Sequence, residues 1–178
     1  MALFFRQGRY NGLPAIVDYT DSDWAGDLDC RRSTSGYLFQ LAGAAITWSS
    51  HMQPLVAQST TGAEYIGCSE AAREAVWLRR LLSDLQAESP LKTPMTMYAD
   101  NQGAIKLAEN PRFHGRTKHI EIKYHYVREA LENGTIQLTY LPTAAMTADI
   151  LIKPLPREPH WRHIQGLGLE NPAEEMSR

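Results

Sequence analysis

Residues 17–26 read VDYTDSDWAG, a stretch that joins apolar and β-branched residues to a run of carboxylates. No helical period is visible from Ala15 onward, so the stretch predicts a buried strand that ends at Asp21. Successive side chains of a strand point to opposite faces, which puts Asp21 and Asp23 on one face and Asp18 on the other. Because ligand sites in sheets of this kind gather near strand ends, Asp21 is a candidate site residue.

Outward from this strand, β-rich runs alternate with helical patterns. The runs GYLFQLAG (36–43) and AAITWSS (44–50) predict a hairpin around Gly43, and a long helix is predicted from Thr61 to about Leu85. The order of elements predicts an α/β fold with a mixed sheet and helices packed on it. The later predicted elements are a strand over 94–100, a helix ending near Asn110, a helix over 119–134, a strand over 135–142 and a short helix from about Thr143 to Ile152.

Composition bounds the class of protein. The chain has 178 residues, 43% of them apolar and 21% charged, which fits one globular domain. Cys30 and Cys68 are too few for a disulfide framework. No apolar run approaches the roughly 20 residues that cross a bilayer, and no targeting signal is visible. We therefore expect an intracellular protein, either cytoplasmic or inside virus-like particles, without a membrane partner.

Positive charge is concentrated in one segment of an otherwise acidic chain. The formal net charge is -2, yet residues 101–128 contain six basic residues against Glu109 and Glu121. A basic face on an acidic protein is the arrangement expected where one side meets a phosphate backbone. The alternative is a solvated helix face.

At these segments the chain resembles the ribonuclease H domain at the C-terminus of the Pol polyprotein of copia-type long-terminal-repeat retrotransposons. The resemblance covers roughly residues 18–169 and implies a ribonuclease H-like fold with a five-stranded mixed sheet flanked by helices. It also implies a metal-dependent nuclease that degrades the RNA strand of an RNA–DNA hybrid. The motifs that carry it are YTDSDWAGD (19–27), RRSTSGYLF (31–39), ITWSS (46–50), QPLVAQSTTGAEYIG (53–67), YADNQGAI (98–105), RTKHIEIKYHYVREAL (116–131) and TADILIKPLP (147–156).

Matched residue by residue, the resemblance implies four catalytic, metal-binding carboxylates: Asp21, Glu64, Asp100 and Asp149. Each has a structural alternative at this stage. Glu64 completes a capping-box pattern with Thr61, Asp100 is placed to cap the next helix, and Asp149 suits a first helical turn. Asp23 remains a possible additional ligand.

Four carboxylates in one site suit Mg²⁺, with Mn²⁺ as the other candidate, because magnesium prefers oxygen ligands. Two such ions about 3.5 to 4 Å apart can activate a water and stabilise the leaving oxygen of a phosphodiester. No nucleophilic side chain is required. We therefore expect two cations as cofactors.

Choosing RNA over DNA requires contact with the 2′-hydroxyl in the minor groove of the hybrid. Polar residues beside the carboxylates are the candidates, with Asn101 and Gln102 preferred over Ser22, Ser33, Thr34 and Ser35. Arg31, Arg32, Arg116 and Lys118 are the candidates for phosphate contacts. For His119 a structural or phosphate-facing role is favoured over direct catalysis.

The resemblance also predicts a domain organisation. Residues 1–14 are expected to be a remnant of the linker from a reverse transcriptase, 15–155 the ribonuclease H-like domain, and 156–178 a weakly ordered tail rich in proline and acidic residues. A reverse transcriptase domain is the expected partner in the full polyprotein, and we expect the ribonuclease H-like domain to depend on it for substrate grip. The alternative function is an inactive transposon remnant or nucleic-acid-binding module. A DDE transposase or integrase is disfavoured because that group places its glutamate last.

Overall fold

A computed structural model describes residues 1–5, 16–86, 93–110 and 121–170, with the side chains of residues 121–125 excepted. The strands are β1 (Ala2–Leu3), β2 (Ile16–Ser22), β3 (Thr34–Leu41), β4 (Ala44–Met52), β5 (Met95–Ala99), β6 (Ile136–Tyr140) and β7 (Leu169–Glu170). The helices are α1 (Thr60–Asp84), α2 (Gln102–Glu109), α3 (Glu121–Glu132), α4 (Asp149–Ile152) and α5 (Arg157–Gly166), with a 3₁₀ turn at Thr143–Ala145.

Five strands form one mixed sheet in the order β4-β3-β2-β5-β6. The predicted hairpin joins β3 and β4 antiparallel, and its two turn residues, Ala42 and Gly43, both have the positive φ of the turn that matches strand twist. β2, β5 and β6 run parallel, so β2 and β5 end at the same edge of the sheet. The predicted α/β class with a mixed sheet is confirmed.

The hydrophobic core lies between the sheet and α1, which packs with α3 and α2. Small residues face the sheet along α1, namely Ala71, Ala72 and Ala75, all fully buried. Because these alanine side chains are small, the axis of α1 lies close to the sheet. The side chains of Phe39, Met95 and Met97 on the strands fill the space between the sheet and α1. The first half of α1 is thereby held against the ends of β2 and β5.

The segment predicted as a weakly ordered tail is structured as far as residue 170. Pro156 directly precedes α5 and Pro159 lies in its first turn, where amides have no intrahelical acceptor, so both prolines fit a helix start. Beyond α5, Gly168 turns with φ +75° against the β3–β4 hairpin, and β7 pairs antiparallel with β1. The tail prediction was wrong for residues 157–170, while residues 171–178 lie outside the described residues.

A second difference concerns the short helix predicted from Thr143 to Ile152. The chain instead makes the 3₁₀ turn, leaves helical geometry at Met146 with ψ 99°, and starts α4 at Asp149. Met146 and Ala148 are fully buried, and burying them requires the chain to depart from the helical path. Asp149 therefore opens a helix of its own.

Candidate active site

Four carboxylates lie together at the edge where β2 and β5 end. Asp21 is near the end of β2, Glu64 is in the second turn of α1, Asp100 directly follows β5, and Asp149 opens α4. One carboxylate oxygen from each of Asp21, Glu64 and Asp100 lies within 4.8 Å of the others. Asp149 adjoins the same cluster, because the Nζ of Lys153 lies 2.6 Å from Asp149 Oδ1 and 3.9 Å from Asp21 Oδ2. The structure thus brings together all four carboxylates that the resemblance implies, and their catalytic role stays a prediction.

Helix capping does not account for Glu64 or Asp100. The N-cap of α1 is Ser59, whose Oγ accepts from the Gly62 amide at 3.1 Å, so Glu64 lies beyond the capping position. The N-cap of α2 is Asn101, whose Oδ1 accepts from the Ala104 amide at 3.0 Å. The two structural alternatives were therefore wrong, because neighbouring residues cap both helices and leave the carboxylates available for the cluster.

Two glycines allow the elements that carry the carboxylates to approach. A Cβ on Gly67 of α1 would lie 2.5 Å from Ser22 Oγ, next to Asp21 on β2. A Cβ on Gly36, the β3 residue paired with Asp21, would lie 2.7 Å from Ile152 and 2.9 Å from Leu151 on α4. All three distances are below any normal carbon contact. Glycine at these positions therefore sets how closely Glu64 and Asp149 approach Asp21.

Hydrogen bonds orient the carboxylates before any ligand binds. The Ser22 amide donates to Asp21 Oδ1 at 2.9 Å, and Thr143 Oγ1 donates to Asp100 Oδ2 at 2.5 Å. Glu64 Oε2 is buried and has no hydrogen-bond partner. A buried carboxylate oxygen without a partner carries a desolvation cost that a bound cation would offset.

The same crowding shifts the acidity of two members of the cluster. Burial, then the hydrogen bond with Asp149 and the charges of Glu64 and Asp100, raises the pKa of Asp21 from 3.8 to about 10. Burial and the charge of Asp100 raise the pKa of Glu64 from 4.5 to about 8, although hydrogen bonds to Asp21 and the Ser22 backbone lower it in part. Without a cation the cluster therefore holds protons at neutral pH.

The donor set fits divalent magnesium or manganese. All the ligand atoms are carboxylate oxygens, the class that magnesium prefers. Two oxygens on one octahedral magnesium ion are about 3.0 Å apart in adjacent positions and about 4.2 Å apart in opposite ones, so the three carboxylates need to close by up to about 2 Å to bind it. Asp21 lies between Glu64 and Asp149 and can belong to two adjacent ion positions.

Lys153, which sequence reasoning did not single out, is part of the cluster. Its Nζ lies 2.6 Å from Asp149 Oδ1 and 3.9 Å from Asp21 Oδ2. Although burial lowers the pKa of Lys153, its hydrogen bond with Asp149 and the charges of Asp21, Asp149 and Asp100 raise it overall. The spacing of four from Asp149 was the available signal, since residues four apart are neighbours on a helix.

Several serines predicted as substrate contacts serve the architecture instead. Ser22 and Ser35 are buried with their hydroxyls 3.1 Å apart, and Gln53 Nε2 donates to Ser35 Oγ at 2.8 Å and to the Ala63 carbonyl at 2.9 Å. Ser33 is also fully buried, and its Oγ accepts from the Ala25 amide. Gln53 thus joins β2, β3 and the start of α1 just behind the carboxylates, a role that no local pattern signals.

The remaining residues that were predicted to contact substrate or metal differ in how exposed their side chains are. Arg31, Arg32 and Gln102 are exposed and free to meet a ligand, whereas the side chain of Asn101 caps α2. Asp23 does not join the cluster, because its Oδ1 accepts from the Thr34 amide and closes the β2–β3 loop. Arg116, Lys118 and His119 lie outside the described residues, as does the whole of 111–120 in the middle of the basic segment.

No model of a known protein family matches this chain, whereas individual proteins do. The retrovirus-related Pol polyprotein of transposon TNT 1-94 from Nicotiana tabacum is 42% identical over 144 residues, which are 81% of this chain and 11% of that protein. The corresponding polyproteins of transposons RE2 and RE1 from Arabidopsis thaliana are 39% and 40% identical over 87% of this chain and 10% of their own length. The chain thus spans about a tenth of these relatives.

Solved structures with the same fold are ribonucleases H. The N-terminal RNase H domain of Rv2228c from Mycobacterium tuberculosis has a TM-score of 0.56 at 15% identity and covers 85% of this chain and 97% of its own. RNase H1 from the archaeon Halobacterium salinarum has a TM-score of 0.52 at 15% identity, over 78% of this chain and 94% of its own. At such identities the likeness shows the fold alone. The chain therefore has the ribonuclease H fold and is homologous to a segment of copia-type retrotransposon Pol polyproteins.

Proposed function

We propose that this chain is a metal-dependent endonuclease domain that hydrolyses the RNA strand of RNA–DNA hybrids during retrotransposon reverse transcription. The observation that carries the proposal is the carboxylate cluster: three oxygens within 4.8 Å, two groups with raised pKa values, and a buried Glu64 oxygen without a partner. Burying several carboxylates side by side destabilises the folded state of a protein that binds no cation there. Its relatives are polyproteins of transposons, which supports the proposed biological setting.

Asp21, Glu64 and Asp100 would hold one divalent cation, and Asp21 with Asp149 a second. When bound, such cations supply Lewis acidity that activates a water and stabilises the leaving oxygen. The chain's own residues prepare the site: the Ser22 amide and the Thr143 hydroxyl fix the orientation of Asp21 and Asp100, and Gln53 fixes the start of α1 behind them. Asp21 and Glu64 must lose their protons on loading.

Substrate contacts would come from the exposed polar and basic residues around this edge. Arg31 and Arg32 project from the β2–β3 loop, and Gln102 follows the cluster residue Asp100 in sequence. Phosphate contacts of this kind hold a duplex without reading its sequence. A reverse transcriptase domain of the polyprotein is the proposed partner for substrate grip, and virus-like particles or the cytoplasm are the proposed location.

Cleavage of a labelled RNA–DNA hybrid, with RNA–RNA and DNA–DNA duplexes alongside, tests the proposal. We expect cutting of the RNA strand of the hybrid with Mg²⁺ or Mn²⁺ and none with a chelator. Asp100→Asn should lower the rate at least about a hundredfold, equivalent to about 3 kcal/mol of transition-state stabilisation.

The matched control is Asp84→Asn, the same substitution at an exposed residue at the end of α1, and it should cut like the wild type. Equal cutting by Asp100→Asn removes the enzyme proposal. Hybrid binding by the wild type without any cutting would identify the alternative, a nucleic-acid-binding module.

A further inference from the structure

The carboxylate cluster is asymmetric in what surrounds its two sides. On one side Glu64 Oε2 is buried without a hydrogen-bond partner, beside Asp21 and Asp100. On the other side the Lys153 ammonium lies 2.6 Å from Asp149 and 3.9 Å from Asp21. Among the described residues, the Lys153 ammonium therefore contacts the side formed by Asp149 and Asp21, and no salt bridge reaches Glu64 or Asp100.

We propose that Lys153 occupies the second cation position of the cluster, so that the two cations bind in a fixed order. The first binds to Asp21, Glu64 and Asp100, on the side where no basic side chain in the described part of the chain forms a salt bridge with Glu64 or Asp100. The second binds to Asp21 and Asp149 more weakly, because it has to displace the Lys153 ammonium. The inference rests on the proposed function, because it concerns how the second of the two proposed cations binds at the same site.

The geometry of Lys153 allows its ammonium group to leave the carboxylates without a change in the fold. Its backbone is extended at φ −148°, ψ 150°, and its amide donates to the Asp149 carbonyl at 3.3 Å, so the main chain is tied to α4. Its side chain is 39% exposed and ends a flexible four-carbon stem. The ammonium can therefore move into solvent while Asp149 stays in position.

Electrostatics gives the expected size of the effect. A single ammonium at hydrogen-bond distance from Asp149 offsets part of the repulsion between the carboxylates, and a divalent cation has to replace that contribution before it gains any affinity. Removing the ammonium should tighten the second cation about tenfold, which corresponds to about 1.4 kcal/mol. The first cation lies on the other side of Asp21, and its affinity should change by less than about threefold.

Calorimetric titration of the metal-free protein with Mn²⁺, without nucleic acid, tests the inference. In the wild type we expect a second dissociation constant at least about ten times the first. Lys153→Met should bring the two constants close together, whereas Lys153→Arg, which keeps the charge, should resemble the wild type. Lys106→Met removes an exposed ammonium on α2 and serves as the matched control with unchanged constants.

The outcomes separate this inference from the proposed function. An unchanged second constant in both Lys153→Met and Lys153→Gln, with wild-type circular dichroism, overturns the inference even if the hybrid is cut. Binding of only one Mn²⁺ by both the wild type and Lys153→Met overturns it as well. A tightened second constant in a protein that cuts no hybrid supports the inference and removes the nuclease proposal alone.

Discussion

At the residue scale, Asp18 shows the effect of burial on a carboxyl group outside the cluster. Asp18 lies on the opposite face of β2 from Asp21, is fully buried, and has no partner within hydrogen-bond geometry for either carboxylate oxygen. Burial raises its pKa well above 3.8, and the backbone of Leu38 and Tyr19 lowers it only in part. Asp18 therefore stays protonated in the folded protein at a pH where the unfolded chain has lost that proton.

This predicts a pH effect on stability with a definite sign. Because the folded pKa is raised, the folded state binds more protons than the unfolded state above about pH 4, so the free energy of unfolding falls as pH rises, by up to about 1.4 kcal/mol per pH unit for one group. Asp18→Asn removes this group, and urea unfolding between about pH 5 and 7 should show a less steep decline. Asp84→Asn, at an exposed position, should leave the slope unchanged. Equal slopes for Asp18→Asn and the wild type would contradict the prediction.

At the scale of elements, the contact between β3 and α4 positions Asp149. Gly36 packs against Ile152 and Leu151 so closely that there is no room for a Cβ atom at this position. Gly36 also pairs with Asp21 across the β2–β3 ladder. The same strand residue thus fixes both the approach of α4 and the neighbour of Asp21. Packing of one short helix on one glycine therefore determines the separation of two carboxylates.

We predict that Gly36→Ala forces α4 away from β3 and costs about 1 to 3 kcal/mol of stability, as overpacking does elsewhere. Because Asp149 moves with α4, the affinity for the second Mn²⁺ should also fall. Urea unfolding and Mn²⁺ titration measure the two effects. The control is Gly62→Ala in the first turn of α1, where a Cβ would lie no closer than 3.3 Å to the Ser59 hydroxyl and stability should change by less than about 1 kcal/mol. Wild-type stability of Gly36→Ala would show that α4 relaxes without cost.

At the scale of the whole molecule, the cluster joins elements distant in sequence, so a cation bound there stabilises the entire fold. Cation binding requires Asp21 and Glu64 to lose protons that their raised pKa values retain. Protons therefore compete with the cation, and the competition weakens as pH rises. Among the described residues, no helix is both long and apolar enough to cross a membrane.

We predict that Mg²⁺ raises the midpoint of thermal unfolding more at pH 8 than at pH 5. A concentration about ten times the dissociation constant stabilises a protein by about 1.4 kcal/mol. Differential scanning calorimetry with Mg²⁺, against a chelator at matched ionic strength, measures the shift at each pH. Glu64→Gln should reduce the shift at pH 8, and equal shifts at both pH values in the wild type would argue against coupled proton release.

Much of this architecture follows from local sequence patterns. Alternation and turn residues predicted the β3–β4 hairpin, and α1 begins and ends within one residue of its predicted bounds. Local patterns failed where burial decided the path of the chain: burial of Met146 split the last predicted helix, and packing of 157–170 ordered the predicted tail. The resemblance supplied the four carboxylates together, since each of them alone had a structural alternative.

The sequence by itself determined the order of the strands and helices from β2 to β6 and the carboxylates at strand and helix ends, because these depend on hydrogen bonds and side-chain periods within a few residues. Only the tertiary structure decided that Gly36 and Gly67 set the approach of α4 and α1, and that Lys153 lies between Asp149 and Asp21. The physical reason is distance along the chain. Contacts between separate elements depend on strand order and close packing, which no short window of sequence contains.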